Sequence, residues 1–264
     1  ISSENFKYLK ALTKSDLPAW KAKDIKIYIE DRLKKEIINF NKKKVEAFNL
    51  MSYSRLNNIF FNKIKKSRYV NIIKLNISES WLLNNSRNYD LIINTEIKNI
   101  ISKKYFAKKI IKNYESYAYT FTINHKKIIN TTASQIFTKY GPLAFLPISN
   151  TQTSIVFSCL GDLKNDNNIM NLFNKYNSFY KIYKINKIEK FRLSFSMLRN
   201  YTCKNILAFG DLIHRIHPHA GQGFNMTIRD IKTLSKIIDK KINLGLPIDI
   251  SVADEFQNKS KHLN

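Results

Sequence analysis

The sequence predicts a mixed α/β (α+β) protein in which a mainly antiparallel β-sheet is inserted into a three-layer α/β domain. Two apolar runs, Tyr69–Leu75 and Tyr89–Ile93, have the continuous hydrophobicity of buried strands in an α/β sheet. Four strand-like segments follow between residues 117 and 160. A short strand, a glycine-bearing loop and a long amphipathic helix come last, between residues 205 and 243. This order is typical of a sheet domain placed inside an α/β domain.

The individual elements follow from hydrophobic spacing. Apolar residues three and four apart predict helices at 3–13, 54–66 (with Ser54 as N-cap) and 166–183. Alternation of apolar and polar residues predicts strands at 24–31, 36–40 and 187–195, the first two as a hairpin. Alternating segments separated by turn-forming residues predict an antiparallel meander over 117–124, 133–139, 143–149 and 153–160.

Length and composition exclude several classes of protein. The chain has 264 residues, of which 44% are hydrophobic, so it can bury a core and is not globally disordered. No apolar run reaches the roughly 18–20 residues that a membrane span needs. Two cysteines are too few for a disulfide framework, which suits a reducing compartment.

The net charge of +25 has a compositional explanation. The chain contains 38 Ile, 37 Lys and 31 Asn, all encoded by A/T-rich codons, and its lysines are spread through every segment. A nucleic-acid-binding protein would instead concentrate its charge, with Arg or aromatic residues, on one face. We therefore expect no nucleic-acid partner, while weak attraction to an anionic membrane surface stays open.

Glycine is scarce, with six residues in the chain, yet three of them lie between Gly210 and Gly223. A buried strand at 205–209 ends in Gly210-Asp211, and the long helix begins around Gly223. An Asp at the carboxyl end of a strand can accept hydrogen bonds from sugar or polyol hydroxyls. A helix N-terminus offers free N–H groups and partial positive charge. The segment therefore predicts a cofactor cradle.

At this point the residues resemble a known family. The pattern GD-x-x-H-x-x-HP-x-AGQG-x-N-x-x-x-RD over 210–230 is similar to the second flavin motif of the FAD-dependent aromatic hydroxylases, and most of all to the ubiquinone-biosynthesis hydroxylases of polyprenylated phenols. GPLAFLP at 141–147 resembles a strand of the family's substrate domain. The resemblance implies a nucleotide-binding FAD domain with an inserted substrate-binding sheet domain. The FAD domain would comprise 1–23, 45–112 and 196–264, without its N-terminal strand, and the substrate domain 24–44 and 113–195.

The resemblance also implies which residues contact ligands. Asp211 would hydrogen-bond the ribityl chain of FAD, and the backbone of Gly221–Gly223 would face the isoalloxazine ring. The full set of implied cofactor contacts is Gly210, Asp211, Pro218, Ala220, Gly221, Gln222, Gly223 and Asn225. Phe121, Phe145 and Pro218 are the expected substrate contacts. No catalytic side chain is expected because the flavin carries the chemistry. No metal is expected, because the three histidines at 214, 217 and 219 lack further ligands for zinc.

As a member of this family, the chain would be an FAD-dependent monooxygenase that NAD(P)H reduces and that uses O2 to hydroxylate the ring of a polyprenyl phenol in ubiquinone biosynthesis. The apolar substrate implies a cytoplasmic protein peripheral to the inner membrane. A ubiquinone-biosynthesis enzyme complex is a further expected partner.

Three departures from the family pattern leave a second interpretation open. The sequence contains no G-x-G-x-x-G, the motif that holds the FAD pyrophosphate on a helix N-terminus. The family's GADG element is replaced by Asn94-Thr95-Glu96-Ile97, and Thr227 stands where a helix glycine is common. Either the chain begins after the first motif, or it is a catalytically impaired flavin-fold remnant with a structural role in a biosynthetic complex.

Overall fold

The computed structural model describes residues 1–30, 37–41, 48–163, 165–216 and 222–261. This part of the chain divides into two units, each with its own hydrophobic core. Unit 1 comprises Ile1–Asn71 and Tyr114–Leu193, and unit 2 comprises Ile72–Asn113 and Ser194–Asn264. Helices and strands are mixed along both, as the sequence predicts.

The elements are numbered in chain order. The helices are α1 (Ser3–Thr13), α2 (Tyr53–Lys65), α3 (Glu79–Asn85), α4 (Ile100–Tyr105), α5 (Asp166–Tyr176), α6 (Gln222–Asn243) and α7 (Ile250–Lys261). The strands are β1 (Trp20–Ala22), β2 (Asp24–Ile29), β3 (Ile38–Asn41), β4 (Phe48–Leu50), β5 (Ile92–Asn94), β6 (Lys109–His125), β7 (Thr132–Thr138), β8 (Gly141–Pro147), β9 (Gln152–Leu160), β10 (Ile182–Ile185), β11 (Glu189–Leu198), β12 (Thr202–Cys203), β13 (Ile206–Ala208) and β14 (His214–Arg215). Short 3₁₀ helices lie at Ser86–Asn88 and Gly210–Leu212.

Unit 1 is built on a sheet with the strand order β11-β6-β9-β8-β7-β2-β3. The pairs β6·β9, β8·β9 and β7·β8 are antiparallel, so the predicted meander is confirmed. The predicted hairpin is also confirmed, because β2 pairs antiparallel with β3. On its other side β2 pairs parallel with β7. Outside this sheet, β1 pairs antiparallel with β4.

The core of unit 1 lies between one face of this sheet and α5. Phe173 and Tyr176 of α5 are 0% exposed and belong to the same buried cluster as Phe145 and Phe157 of the sheet. The helix is shorter than predicted. It ends at Tyr176 because the Asn177 side chain accepts a hydrogen bond from the N–H of Tyr180 at 3.1 Å and donates one to the Tyr180 carbonyl at 2.9 Å. These bonds turn the chain toward β10.

Two other local predictions are wrong. Tyr69–Leu75 forms no strand in the described part of the chain, and its side chains are exposed, with Tyr69 at 81% and Ile73 at 65%. An apolar run predicts burial but does not indicate which strand it would pair with. In the described residues no strand pairs with 69–75. The second helix begins at Tyr53 with Ser52 at the N-cap position, two residues before the predicted Ser54.

The two units do not follow the predicted domain boundaries. Residues 1–23 and 45–71, expected with the FAD domain, fall in unit 1. Trp20 Nε1 donates to the carbonyl oxygen of Asn130 at 2.7 Å, and the N–H of Lys23 donates to that of Thr131 at 2.8 Å. These bonds hold the early residues against the loop before β7. Which residues form the FAD-binding domain stays a prediction.

Unit 2 contains a three-stranded sheet in the order β12-β13-β5. Its central strand β13 is buried along its whole length, pairs antiparallel with β12, and pairs parallel with β5. Apolar residues of α6 and α7 pack into the same core, which includes Leu234, Ile237, Val252 and Phe256. The spacing of Ile228, Leu234 and Ile237 on α6 matches the apolar stripe predicted from the sequence.

Candidate flavin site

The candidate site begins where β13 ends. The chain leaves the buried strand through Phe209, whose N–H donates to the carbonyl oxygen of Asn94 at 2.9 Å. Gly210 follows with φ +63°, a left-handed conformation that favours glycine. A Cβ added there would lie 3.9 Å from Thr227 Cγ2, an ordinary contact distance. The backbone conformation, rather than a lack of space, therefore requires glycine at this turn.

Asp211 points outward from this turn. It lies in the 3₁₀ helix Gly210–Leu212, followed by Leu212 and Ile213, which are 1% and 0% exposed. The apolar side chains anchor the turn, while Asp211 is exposed. Its carboxylate makes no hydrogen bond or ion pair with the part of the chain that the structure describes. It is therefore an available acceptor for hydroxyl donors.

The helix α6 supplies the second part of the site. It runs for 22 residues from Gln222 and has no acidic residue in its first turn, so the positive end of its dipole is not offset by its own side chains. Of the predicted contacts on it, Gln222 is exposed, whereas Gly223 and Asn225 are half-buried. A Cβ on Gly223 would lie 3.8 Å from Ile216, so protein packing alone does not demand glycine there.

Three of the predicted contacts, Pro218, Ala220 and Gly221, lie outside the described residues, as do His217 and His219. Their roles stay predictions. Among the residues that the structure does describe, no group of three metal-ligating side chains occurs. In the same residues we find no helix able to span a bilayer.

A second turn leaves the sheet beside the first. Asn94 ends β5 and pairs in register with Ala208 of β13, so the carboxyl ends of the two parallel strands share one edge of the sheet. The buried Asn94 side chain accepts a hydrogen bond from Asn99 Nδ2 at 2.7 Å and donates one to Ser102 Oγ at 2.8 Å. Glu96 remains exposed. The element that departs from the family's GADG thus forms an ordered turn into α4, although it lacks both glycines.

His214 and Asp230 form a contact that sequence reasoning did not pair. His214 Nε2 donates to Asp230 Oδ2 at 2.9 Å, and the two side chains are 2% and 1% exposed. Arg229 Nη2 lies 3.2 Å from the other oxygen of Asp230, so these neighbours form an ion pair. Both His214 and Asp230 are fixed positions of the motif over 210–230. Their occurrence in one motif is the sequence feature from which a contact between them could have been predicted.

Phe121 and Phe145, the predicted substrate contacts, lie in the core of unit 1. They are 4% and 0% exposed, and their ring centroids lie 5.1 and 6.0 Å from that of Phe173 on α5. Successive residues of a strand point to opposite faces of the sheet. Thr120 and Ala144 therefore face away from α5, and both are half-buried. Contact of the two phenylalanines with a substrate stays a prediction, since both already fill the core.

Comparison with known proteins adds independent information. Residues 122–243 match the family described as FAD binding domain. This stretch includes the GPLAFLP strand and the whole motif of residues 210–230. The resemblance to the FAD-dependent aromatic hydroxylases is confirmed.

Individual hydroxylases match over part of their length. The chain is 26% identical over 156 residues to the ubiquinone biosynthesis monooxygenase COQ6 of Dictyostelium discoideum, covering 59% of this chain and 32% of that protein. It is 25% identical over 141 residues to the ubiquinone hydroxylase UbiL of Rhodospirillum rubrum, covering 50% of this chain and 33% of that protein. The match thus spans about a third of the length of these curated relatives.

Solved structures of flavin-dependent hydroxylases and related enzymes share the fold. PqsL, a probable FAD-dependent monooxygenase from Pseudomonas aeruginosa, matches with a TM-score of 0.71 at 15% identity, over 100% of this chain and 81% of that one. The p-nitrophenol 4-monooxygenase PnpA from Pseudomonas putida matches with a TM-score of 0.71 at 10% identity, over 97% and 71% of the two chains. The predicted fold class is therefore confirmed.

The described residues of the candidate site fit FAD. The exposed Asp211 carboxylate can accept hydrogen bonds from the hydroxyls of a ribityl chain. The first turn of α6 offers main-chain N–H groups and an uncompensated dipole to an electron-rich ring. The Asp211 carboxylate accepts hydrogen bonds, and the first turn of α6, which contains no acidic residue, donates them. This combination suits a ligand with hydroxyl donors and carbonyl acceptors.

Proposed function

We propose that the chain is part of an FAD- and NAD(P)H-dependent monooxygenase that hydroxylates the aromatic ring of a polyprenylated phenol in ubiquinone biosynthesis. The observation that carries the proposal is the Gly210–Asp211 turn, which leaves a buried parallel strand and presents outward a carboxylate with no partner among the described residues. The likeness to COQ6 and UbiL supports the substrate class. The flavin fold shared with PqsL and PnpA supports the reaction class.

In this proposal the protein binds and orients the cofactor. Asp211 would accept hydrogen bonds from the ribityl hydroxyls, and the N-terminus of α6, with Gln222, Gly223 and Asn225, would face the ring. Pro218, Ala220 and Gly221 would complete the loop between them. When bound, FAD would supply the redox chemistry: two electrons come from NAD(P)H, one oxygen atom of O2 enters the substrate ring, and the other leaves as water.

For the substrate, we propose the sheet face opposite α5. This face carries the small or apolar side chains of Ala144, Leu146 and Val156, which are half-buried. Phe121 and Phe145 would then stabilise the sheet from its other face, where they pack in the core with α5, and would not contact the substrate. An apolar face of this kind suits the ring and the first isoprenoid units of the substrate.

We further propose that the protein works in the cytoplasm, at the surface of the inner membrane and alongside other enzymes of ubiquinone biosynthesis. A polyprenyl tail partitions into lipid, so the enzyme must meet its substrate at the bilayer. Surface lysines would add about 1 kcal/mol each to attraction by anionic lipids.

The experiment is to purify the chain, incubate it with FAD, and measure flavin absorbance after gel filtration together with NAD(P)H oxidation in the presence of a polyprenyl phenol. Retained flavin and substrate-dependent NAD(P)H oxidation support the enzyme. The alternative is the catalytically impaired remnant with a structural role in a biosynthetic complex, which the presence of Ile97 in place of a family glycine favours. It predicts a folded, colourless protein that still binds partner enzymes of the same route.

A further inference from the structure

The buried pair of His214 and Asp230 joins the two sides of the candidate flavin site. His214 lies three residues after Asp211, and Asp230 lies in the third turn of α6. The hydrogen bond between Nε2 and Oδ2 measures 2.9 Å. It therefore connects the strand after the Asp211 turn to the helix whose first turn forms the other half of the site.

Each partner is held separately by its own element. His214 pairs with Met197 across the β14·β11 ladder, which fixes the backbone on the strand side. On the helix side, Leu234 and Ile237 bury α6 in the core of unit 2. A directional side-chain hydrogen bond between the two elements restricts sliding and rotation of α6 relative to the turn.

The surroundings of the pair show how the His214 imidazole ring is oriented. The second ring nitrogen, Nδ1, is buried and has no hydrogen-bond partner in the described part of the chain. Among the described residues, the bond to Asp230 is therefore the hydrogen bond that orients the ring. Burying a carboxylate and an imidazole is costly, and an apolar pair of similar volume commonly gives equal or greater stability. A polar pair at this place is thus better explained by the orientation that it imposes than by stability.

We propose that His214 and Asp230 are positioning residues, whose hydrogen bond sets the start of α6 and the Gly210–Asp211 turn in the relative placement that FAD requires. The inference rests on the proposed function, because it assigns the pair a role in cofactor binding. Neither residue is assigned a contact with the flavin.

The test uses the full chain in four forms. His214→Phe keeps the ring volume but removes the donor. Asp230→Asn keeps an oxygen that accepts from Nε2 but gives up the oxygen that accepts from Arg229 Nη2. The matched control is His125→Phe in unit 1, because His125 is also 1% exposed and hydrogen-bonded, at 2.9 Å to the Lys126 carbonyl and 3.0 Å to Thr153 Oγ1. The readouts are the Kd for FAD from flavin fluorescence, amide hydrogen exchange of residues 210–216 and 222–230, and the Tm.

We expect His214→Phe to raise the Kd for FAD about 10-fold, because the hydrogen bond that it removes has a charged acceptor. Exchange should quicken in the two named segments only, whereas Asp230→Asn should keep the FAD affinity and the exchange rates close to those of the unsubstituted chain. His125→Phe should lower the Tm while leaving the Kd for FAD and exchange in those segments unchanged. Unchanged FAD affinity in His214→Phe, or an equal loss in His125→Phe, would overturn the proposal.

The two proposals fail in different ways. If the unsubstituted chain binds no FAD, the proposed function fails, and hydrogen exchange then decides the positioning role by itself. Faster exchange confined to 210–216 and 222–230 in His214→Phe supports the coupling of turn and helix. Exchange that rises throughout unit 2 shows a general stabilising role and removes the positioning proposal.

Discussion

The N–H of Phe209 donates a hydrogen bond to the carbonyl oxygen of Asn94 at 2.9 Å. This bond extends the parallel pairing of β13 and β5 by one step, to the point where both strands turn. The Gly210–Asp211 turn and the Asn94–Glu96 turn therefore leave the same edge of the sheet. Ligands of α/β sheets bind beyond the carboxyl ends of parallel strands, and the exposed Asp211 stands at such an end.

Replacing Asp211 tests the cofactor role directly. Asp211→Asn should raise the Kd for FAD about 10-fold, because a charged acceptor of hydrogen bonds becomes a neutral one. The Tm should be unchanged, since the carboxylate is exposed and has no partner in the described part of the chain. Fluorescence titration and thermal unfolding measure the two quantities. Asp239→Asn, at an exposed position further along α6, is the control and should alter neither. A lowered Tm without a change in Kd would make Asp211 a structural residue.

Gly210→Ala should lower the free energy of unfolding by about 1–2 kcal/mol, the cost of a left-handed conformation for a residue with a Cβ. Gly245→Ala is the matched control, because Gly245 has φ +65° and nothing within 4 Å of an added Cβ. Urea denaturation should give similar losses for the two variants. Only Gly210→Ala should also weaken FAD binding, because only that turn carries Asp211. Equal FAD affinity in both variants would argue against a cofactor role for the turn.

Glu30 makes the stability of unit 1 depend on pH. Its pKa is lowered from 4.5 to about 2 because the N–H of Lys139 donates to it at 2.8 Å, and because Lys175 Nζ and the Tyr176 hydroxyl donate to its other oxygen at 2.9 and 2.8 Å. A lowered native pKa means that the carboxylate stabilises the fold above the unfolded value near 4.5 and loses this contribution as the pH falls toward about 2.

The Glu30→Gln variant should therefore be less stable than the original chain at pH 6. The difference in free energy of unfolding should shrink across the window from 4.5 to about 2. Urea denaturation over a series of pH values measures this difference. Glu189→Gln, at an exposed position of β11, should show no such trend. A difference that does not vary with pH would rule out the ionised carboxylate as its source.

Substitutions at two adjacent residues of β8, Ala144 and Phe145, distinguish a core position from a proposed substrate contact. Phe145→Ala should cost about 3–5 kcal/mol of stability, as is usual for a buried aromatic residue, because Phe145 is 0% exposed and packs on Phe173 and Phe179. Ala144→Leu, on the opposite face, should change stability much less and raise the KM for the phenol. Thermal unfolding and steady-state kinetics on the FAD-loaded protein give the two readouts. A raised KM in Phe145→Leu without a lowered Tm would instead support Phe145 as a substrate contact.

Local patterns in the sequence were sufficient for much of the fold. Alternation and turn residues predicted β6 to β9, and helical spacing predicted α1 and the apolar face of α6. The strand–turn–helix around Gly210 followed from the same reasoning, because a left-handed turn after a buried strand needs glycine. These features depend on residues close together in the chain, so one sequence can reveal them.

Other features depend on partners that are distant in the chain. The apolar run Tyr69–Leu75 looked like a buried strand but is exposed, because no local pattern states whether a pairing strand exists. Whether the face of β8 that carries Phe145 is a core face or a ligand-binding face depends on where α5 packs. Because side chains alternate along a strand, a shift of one residue would exchange the two faces. The bond between His214 and Asp230 likewise exists only once β14 and α6 have packed in one core.

The amino-acid order alone determined that a strand would end in Gly210-Asp211 and that a long amphipathic helix would follow, because backbone conformation and apolar spacing are properties of short segments. Only the tertiary structure decided that Asp211 points outward, that Phe121 and Phe145 fill a core, and that His214 meets Asp230. Those outcomes arise from long-range packing, in which each side chain takes the environment that the surrounding elements leave for it.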